Sequence, residues 1–236
     1  MLDPKNRVAM ISGASRGIGL AIAETLAARG YRISLGLRTP AKLPASLGGY
    51  GDGVLACRYD AASRETHAAW VAETVARFGR IDVLINNAGI GRHVSVMEGE
   101  DAALDEMWQV NCKAPLSMTR LAMPHLEAAG HGRIVNVASL SGKRVKNDNV
   151  GYAMTKFALM ALTHATRQYG WERGVRAIAL CPSFVATDMT AGVTKIARHD
   201  MIDARDLAEL VATAISLPNT ATVAELLVNC RLEDTL

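Results

Sequence analysis

Short apolar runs alternate with amphipathic stretches along almost the whole chain. Residues 8–11 form the first run, which breaks at Ser12-Gly13. Ile18, Ala21, Ile22 and Leu26 then follow a helical period from near Gly17 to Gly30, a residue suited to ending a helix. Further runs predict strands at 32–37, 54–57, 81–85, 133–138, 175–180 and 223–228. Helices are expected between them at 63–78, 101–129, 151–171 and 204–217. The first of these places His67, Trp70, Val71, Thr74 and Val75 along one side. Pro115 and Pro124 should bend or break the long one. Asp203 is placed to cap the last. Residues 39–53, rich in Gly and Pro, read as a loop, 142–149 as a polar loop, and 188–200 as a short mixed segment. Strands flanked in turn by helices imply an α/β fold, a parallel sheet doubly wound with helices on both faces. No linker, repeat or low-complexity run divides it, so residues 1–236 are expected to form a single domain.

Composition narrows the partners. Half of the 236 residues are hydrophobic, enough for a large core. Lys and Arg total 26 against 23 acidic residues, a net charge of +3. That excess is too small for nucleic acid and suits an anionic cofactor or substrate. Cys57, Cys112, Cys181 and Cys230 have no metal-ligand spacing and lie in or beside apolar runs. They are expected to be buried free thiols in a reducing compartment, with no metal site. The first residues carry no apolar signal region, and no run is long enough to span a membrane. A cytoplasmic protein is the expectation.

The break after the first strand carries chemistry. Gly13-Ala-Ser15-Arg16-Gly17-Ile18-Gly19 turns a strand into a helix through three glycines. Such a turn lets a pyrophosphate approach the backbone, and the helix N-terminus offers unpaired N–H donors and a positive dipole end. A Walker loop fits poorly, because no Gly-Lys-Ser/Thr follows. In a dinucleotide fold the end of the second strand faces the adenosine ribose, where an acid would bind the NAD 2′-hydroxyl. Leu37 fills that slot and Arg38 follows; with Arg16 it suits a 2′-phosphate, so NADP is favoured over NAD. Asp60, after the third strand, is placed for the adenine amino group or as an N-cap. After the fourth strand, Asn86-Asn87-Ala88-Gly89 is small enough to lie beside a cofactor.

Tyr152 and Lys156 are four apart on one expected helix and so share a face. A free phenol, with a pKa of about 10, is a poor acid or base near neutrality, but a nearby ammonium favours its phenolate. Tyr152 thereby becomes a workable acid/base for an alcohol or carbonyl. Ser139, at the end of the fifth strand, is placed to bond the substrate oxygen. Lys156 could also bond a nicotinamide ribose, and Asn111 could use its side chain or a kinked backbone to hold a water behind Lys156. A lone Y-x-x-x-K is ordinarily a solvated helix face; its weight comes from the other motifs.

Together these motifs resemble the short-chain dehydrogenase/reductase family over nearly the whole chain. Gly13-x-x-x-Gly17-x-Gly19, Asn86-Asn87-Ala88-Gly89, Asn111, Ser139 and Tyr152-x-x-x-Lys156 stand in the family's order, with Ser139 thirteen residues before Tyr152. The resemblance implies a seven-stranded Rossmann fold and hydride transfer between NADP(H) and a small carbonyl/alcohol pair. It assigns Tyr152 as acid/base, Lys156 as its electrostatic support and ribose ligand, Ser139 as oxygen stabiliser and Asn111 as proton-relay anchor. It gives the Gly13–Gly19 turn, with Ser15 and Ile18, to pyrophosphate, Asn87, Ala88 and Gly89 to the riboses, and Asp60 and Ala61 to adenine. Pro182, Val185 and Thr187 go to the carboxamide. It also implies a homodimer or homotetramer; from the residues themselves, Met154, Phe157 and Met160 read as helix packing, with a subunit face as one place for it.

Three departures from the family pattern stand out. Ser183 replaces the glycine that usually follows Pro182, with altered or strained backbone expected. The segment from Thr187 to Ala204 is short, implying a small or partly open lid. The stretch Leu226-Leu-Val-Asn-Cys-Arg-Leu-Glu233 lacks the usual glycine pair. The last weakens the analogy to 3-oxoacyl-thioester reductases, although that activity stays an alternative, as does a non-catalytic NADP-binding regulator. An extended-branch sugar epimerase would need a larger C-terminal region. Around the reacting centre the motif neighbourhood places His93, Leu140, Ser141, Asn149, Phe184 and Met189. Lys143, Arg144 and Lys146 read as a solvated basic loop ahead of a contact for an anionic substrate.

Overall fold

The computed structural model describes residues 1–232, so Glu233 at the end of the glycine-free stretch lies outside the described residues. Seven strands form one parallel sheet: β1 (Val8–Ser12), β2 (Arg32–Leu37), β3 (Val54–Arg58), β4 (Val83–Asn86), β5 (Arg133–Val137), β6 (Arg176–Pro182) and β7 (Glu225–Val228). Their order is β3-β2-β1-β4-β5-β6-β7. The chain winds outward from β1 to β3, crosses back to β4 and winds out the other way. The reversal between β1 and β4 opens a crevice at the carboxyl ends of the strands, where such sheets bind ligands.

Six helices cover the faces: α1 (Gly17–Ala28), α2 (Arg64–Phe78), α3 (Asp101–Trp108), α4 (Ala114–Ala128), α5 (Val150–Gly170) and α6 (Ala204–Ser216). Alternation along the strands feeds separate cores on the two faces, with a smaller cluster of Ala138, Leu159, Met160, Ala179 and Cys181 under α5. Ala9, Ile11, Val83, Ile85 and Val135 pack with α1 and α6, whereas Met10, Leu84 and Ile134 pack with α2 and α4. The central strands are buried at every position because both faces are covered. Loop 39–53 contains two 3₁₀ turns, Pro40–Lys42 and Ala45–Gly53.

The expected long helix is broken where Pro115 dictates. Pro115 has no N–H for the carbonyl of Asn111, four residues earlier, and a π turn over Gln109–Lys113 separates α3 from α4. Pro124, by contrast, lies inside α4 without ending it.

Arginines close the amino-terminal rim of the sheet. Arg7 donates to the His131 carbonyl at 2.8 Å, Arg133 to Leu217 at 2.6 Å, and Arg176 to Trp171 at 2.8 Å. These carbonyls lie just past the ends of α4, α6 and α5, where unpaired acceptors and the negative dipole end favour a cation. Arg133 is only 1% exposed. Burial, with Arg7 and Arg176 nearby, brings its pKa down to about 10.

Candidate active site

The glycine turn is built by contacts that exclude side chains. Gly13 has φ +66°, and a Cβ there would stand 2.9 Å from the Ala88 Cα. At Gly19 a Cβ would meet Asn87 Nδ2 at 2.4 Å and the Gly13 carbonyl at 2.7 Å. Arg16 caps α1 with its backbone in the extended region, and its side chain makes no capping bond. The first turn of α1 also holds no acid. Its N–H groups therefore point at the crevice without a side-chain acceptor, the arrangement a pyrophosphate fits.

Ser12, which the sequence reading passed over, locks this turn to β4. Its hydroxyl accepts from the N–H groups of Asn87 and Ala88, each at 3.0 Å. The Asn87 amide donates to the Ser12 and Gly13 carbonyls at 2.9 and 3.1 Å. Thus the Asn87 side chain braces the turn, with its amide hydrogens spent on two backbone carbonyls. The sequence signal for Ser12 was a hydroxyl ending an otherwise apolar strand.

Thr187 lies across the crevice from this turn, and its Cγ2 would be 3.2 Å from a Cβ on Gly17. Arg16 Nη1 reaches Asp188 Oδ2 at 3.1 Å. Arg38 is exposed at the end of β2, and Leu37 is buried beside it. Val185 is buried, with its carbonyl accepting from Thr190 Oγ1 at 2.5 Å. Asp60 does not cap α2, whose N-cap is Ser63. Its Oδ1 accepts from Ala62 N at 2.9 Å, while its carbonyl takes a bond from His67 Nε2 at 3.0 Å. Ala61 is buried in the core beside Trp70.

Tyr152 and Lys156 do share a face of α5. Lys156 Nζ stands 5.5 Å from the Tyr152 ring centroid and donates to the Val137 carbonyl at 2.9 Å. Lys156 is buried, and an ammonium has three N–H donors, of which Val137 takes one. Asn149 caps α5, its Oδ1 accepting from Tyr152 N at 3.3 Å and from Val94 N at 3.2 Å. Ser139 follows β5; its Oγ accepts from Ser141 N at 3.1 Å, so the hydroxyl hydrogen remains for another acceptor.

Asn111 sits in the π turn. Its side chain pairs with Ile90, with Oδ1 accepting from Ile90 N and Nδ2 donating to Ile90 O, both at 2.9 Å. A further bond from Nδ2 reaches Thr155 Oγ1 at 3.1 Å. The Asn111 side chain is therefore committed, and the donor its backbone carbonyl would meet four residues on is replaced by Pro115, which has no N–H. Gly89 lies at this junction, where a Cβ would be 3.3 Å from Asn111 Oδ1 and 3.7 Å from Lys156 Nζ. Ile90 and Thr155 carried no sequence signal.

Other neighbourhood residues divide. Leu140 is core, Ser141 is half-buried and Met189 is exposed. His93 is exposed and faces Asp148 at 3.2 Å. Lys143 is no free loop cation, since it pairs with Glu225 at 2.8 Å. Ser183 shows no strain: among the described residues other than glycine, only Asn6 has positive φ. Its hydroxyl accepts from Cys230 N at 3.0 Å and donates to Cys230 Sγ at 3.1 Å. The excursion after Thr187 is short, as expected, and closed at its base by pairing of Val185 with Ile202. All four cysteines are free, but only Cys57 and Cys181 are buried; Cys112 and Cys230 are half-buried. Met160 is core, whereas Met154 and Phe157 are exposed on α5.

Among the described residues no cluster of His, Cys, Asp or Glu is suited to a metal ion, and no helix is long and apolar enough to cross a membrane.

Comparison with known proteins agrees with this architecture. The model of the short chain dehydrogenase family matches residues 7–197. An agropine synthesis reductase from Rhizobium rhizogenes is 50% identical over 96% of this chain. The chain spans about half the length of that relative, 53%. A crystal structure of 3-ketoacyl-(acyl-carrier-protein) reductase from Brucella melitensis, complexed with NADH, superposes with a TM-score of 0.88 at 28% identity, covering 96% of this chain and 98% of that one. A metagenomic short-chain oxidoreductase in complex with NADP superposes with a TM-score of 0.82 at 30% identity, covering 98% of this chain and 100% of that one. The chain belongs to the short-chain dehydrogenase family.

Proposed function

We propose that the chain is an NADP(H)-dependent oxidoreductase acting on a small carbonyl or secondary alcohol, with Tyr152 as its acid/base. The observation that carries the reading is the placement of the Lys156 ammonium 5.5 Å from the Tyr152 ring and bonded to Val137, at the carboxyl ends of the strands, where the glycine turn also lies. Bound with its pyrophosphate at the N-terminus of α1, the nicotinamide cofactor supplies or accepts the hydride.

The protein groups handle the proton. In reduction, the Tyr152 hydroxyl gives its proton to the substrate oxygen as negative charge develops there. Ser139 donates its free hydroxyl hydrogen to the same oxygen and fixes its position. Lys156 stabilises the resulting phenolate and directs its spare N–H groups to the ribose hydroxyls. Anchoring of Lys156 on Val137 holds the ammonium in place between turnovers. Asn111 positions the strand-to-helix passage through Ile90, and its backbone carbonyl is the candidate water acceptor behind Lys156.

Preference for NADP rests on Leu37 where an acid would bind the ribose, and on Arg38 and Arg16 flanking the turn. In this reading residues 1–236 act as one unit that carries both sites. The exposed Met154 and Phe157 of α5 favour a homodimer or homotetramer. The likeness to the Brucella reductase keeps acyl thioesters among the substrates to be tried.

A panel of ketones, hydroxy acids, sugars and acyl thioesters, read by NADPH absorbance, tests the reaction class. Tyr152→Phe should then bind NADPH as the intact protein does while carbonyl reduction collapses. An unchanged rate in that variant removes the mechanism and favours a cofactor-binding regulator.

A further inference from the structure

Asn149 ties two segments together through one oxygen. Its Oδ1 accepts from Tyr152 N at 3.3 Å, in the first turn of α5, and from Val94 N at 3.2 Å, in the segment that follows β4. Gly151 N donates to the Val94 carbonyl at 2.9 Å, so both backbone polar groups of Val94 are held by the start of α5. Gly151 makes the approach possible. A Cβ there would stand 2.7 Å from Val94 Cβ and 3.2 Å from Met107 Cε. Its φ is not positive, so closeness rather than conformation calls for glycine.

The segment held in this way runs beside the Tyr152 ring. A Cβ on Gly91 would be 3.8 Å from Tyr152 Cδ2 and 3.9 Å from Cε2, which sets the Gly91 backbone against one edge of the ring. Gly91 lies between fixed points. Asn111 holds Ile90, Arg92 N donates to Met107 Sδ at 3.3 Å, and Asn149 with Gly151 holds Val94. Lys156 Nζ stands 5.5 Å from the centroid of the same ring. The phenol is thus bordered by its ammonium and by a backbone wall, and Asn149 joins that wall to the helix turn bearing Tyr152.

We propose, resting on the oxidoreductase reading given above, that Asn149 is a positioning residue for Tyr152: by keeping Val94 in register with α5 it fixes the direction in which the phenol points. Asn149 acts through the ring, not on the substrate. Proton transfer needs the donor within hydrogen-bond reach of its acceptor, so a small turn of the ring lowers the rate. A residue serving only as a helix cap would be replaceable by serine, since asparagine, aspartate and serine cap about equally well. Serine is one bond shorter, so its oxygen can serve the helix N–H but no longer spans to Val94.

The test compares Asn149→Ser, Asn149→Asp and Gly151→Ala with the parent on the full chain, assayed with NADPH and para-nitrobenzaldehyde as a small carbonyl probe. Asn149→Ser should lower kcat by about ten- to a hundredfold. The KM for NADPH, the urea midpoint and the pKa read from the kcat pH profile should stay near those of the parent, because the cap and Lys156 are kept. Asn149→Asp keeps an oxygen for both N–H groups and should recover most of the rate. Gly151→Ala pushes Val94 away from α5 and should lower kcat as Asn149→Ser does. Parent-like kcat in both Asn149→Ser and Gly151→Ala overturns the proposal, as does a fall in kcat that follows a fall in stability without recovery in Asn149→Asp. NMR of protein with isotope-labelled tyrosine rings reads the position without turnover. The Tyr152 signal, identified by its loss in Tyr152→Phe, should shift or broaden in Asn149→Ser and return in Asn149→Asp. An unmoved signal sinks the positioning whatever the rate. A moved signal, with turnover unchanged in Tyr152→Phe, leaves the positioning standing and sinks the acid/base reading.

Discussion

Asn111 and Ile90 are joined by two reciprocal hydrogen bonds: Ile90 N–H donates to Asn111 Oδ1, and Asn111 Nδ2 donates back to the Ile90 carbonyl, both at 2.9 Å. A primary amide here imitates a backbone peptide and satisfies both polar groups of one residue. Asn111→Leu deprives Ile90 of both partners, and each stranded group costs about 1–3 kcal/mol. Urea unfolding should show a loss of that order, with turnover falling further because the segment from Gly89 to Ile90 borders Lys156. A variant as stable and active as the parent would show that the pairing is incidental.

Cofactor choice is expected to turn on Arg38. It is exposed at the end of β2 and is the side chain proposed for a 2′-phosphate, so Arg38→Asp would replace a complementary charge with a repelling one. Fluorescence titration should show NADPH binding weakened at least about tenfold, more than the range of a single exposed ion pair because attraction becomes repulsion. NADH binding should change little. Equal loss of both cofactors rejects the assignment.

Two glycines of the same chain should behave in opposite ways. Gly19→Ala places a methyl group 2.4 Å from Asn87 Nδ2 and 2.7 Å from a backbone carbonyl, so the turn must open. Overpacking of this kind costs about 1–3 kcal/mol. The variant is expected to lose that stability together with NADPH affinity. Gly49→Ala meets nothing within 4 Å and serves as the comparison. Thermal unfolding with and without NADPH distinguishes them; matching behaviour would contradict the packing argument.

His67 makes stability depend on pH. Its Nε2 faces the Asp60 carbonyl, which only accepts, so Nε2 carries the hydrogen and Nδ1 accepts from Ser117 at 3.0 Å. Burial holds its pKa below the ordinary value of 6.5. The neutral form is thus favoured in the folded state, and below about pH 6.5 the unfolded chain binds the proton more readily. The His67 contribution is complete above that pH and declines as acid is added. Urea unfolding at pH 7.5 and 5.0 should show a smaller acid loss in His67→Gln than in the parent, and an equal loss would exclude His67 as a source.

Strands, helices and the Tyr152–Lys156 pair were legible in the sequence because each depends on local periodicity. An apolar run such as 133–138 needs no knowledge of its neighbours, and a spacing of four fixes a helix face. The glycine turn was legible for the same reason. What escaped depends on contacts between distant segments. Nothing near Asn87 announces that its amide turns inward to β1, and nothing near Ile90 marks it as the partner of Asn111, 21 residues away. Ser183 looked strained only against a pattern in which glycine stands there; the hydroxyl finds Cys230, 47 residues on, and the backbone needs no left-handed conformation. Asp60 was placed for the adenine amino group with a cap as its alternative; the cap position belongs to Ser63, three residues on.

The arginines at the amino-terminal rim carry a practical corollary. Arg7, Arg133 and Arg176 bind the trailing carbonyls of three helices from the opposite side of the sheet to the glycine turn. The fastenings of the scaffold and its reactive loops therefore occupy different rims and share no side chains. Loops can be exchanged on one rim to redirect the chemistry, while the clasps on the other go on holding the helices in register.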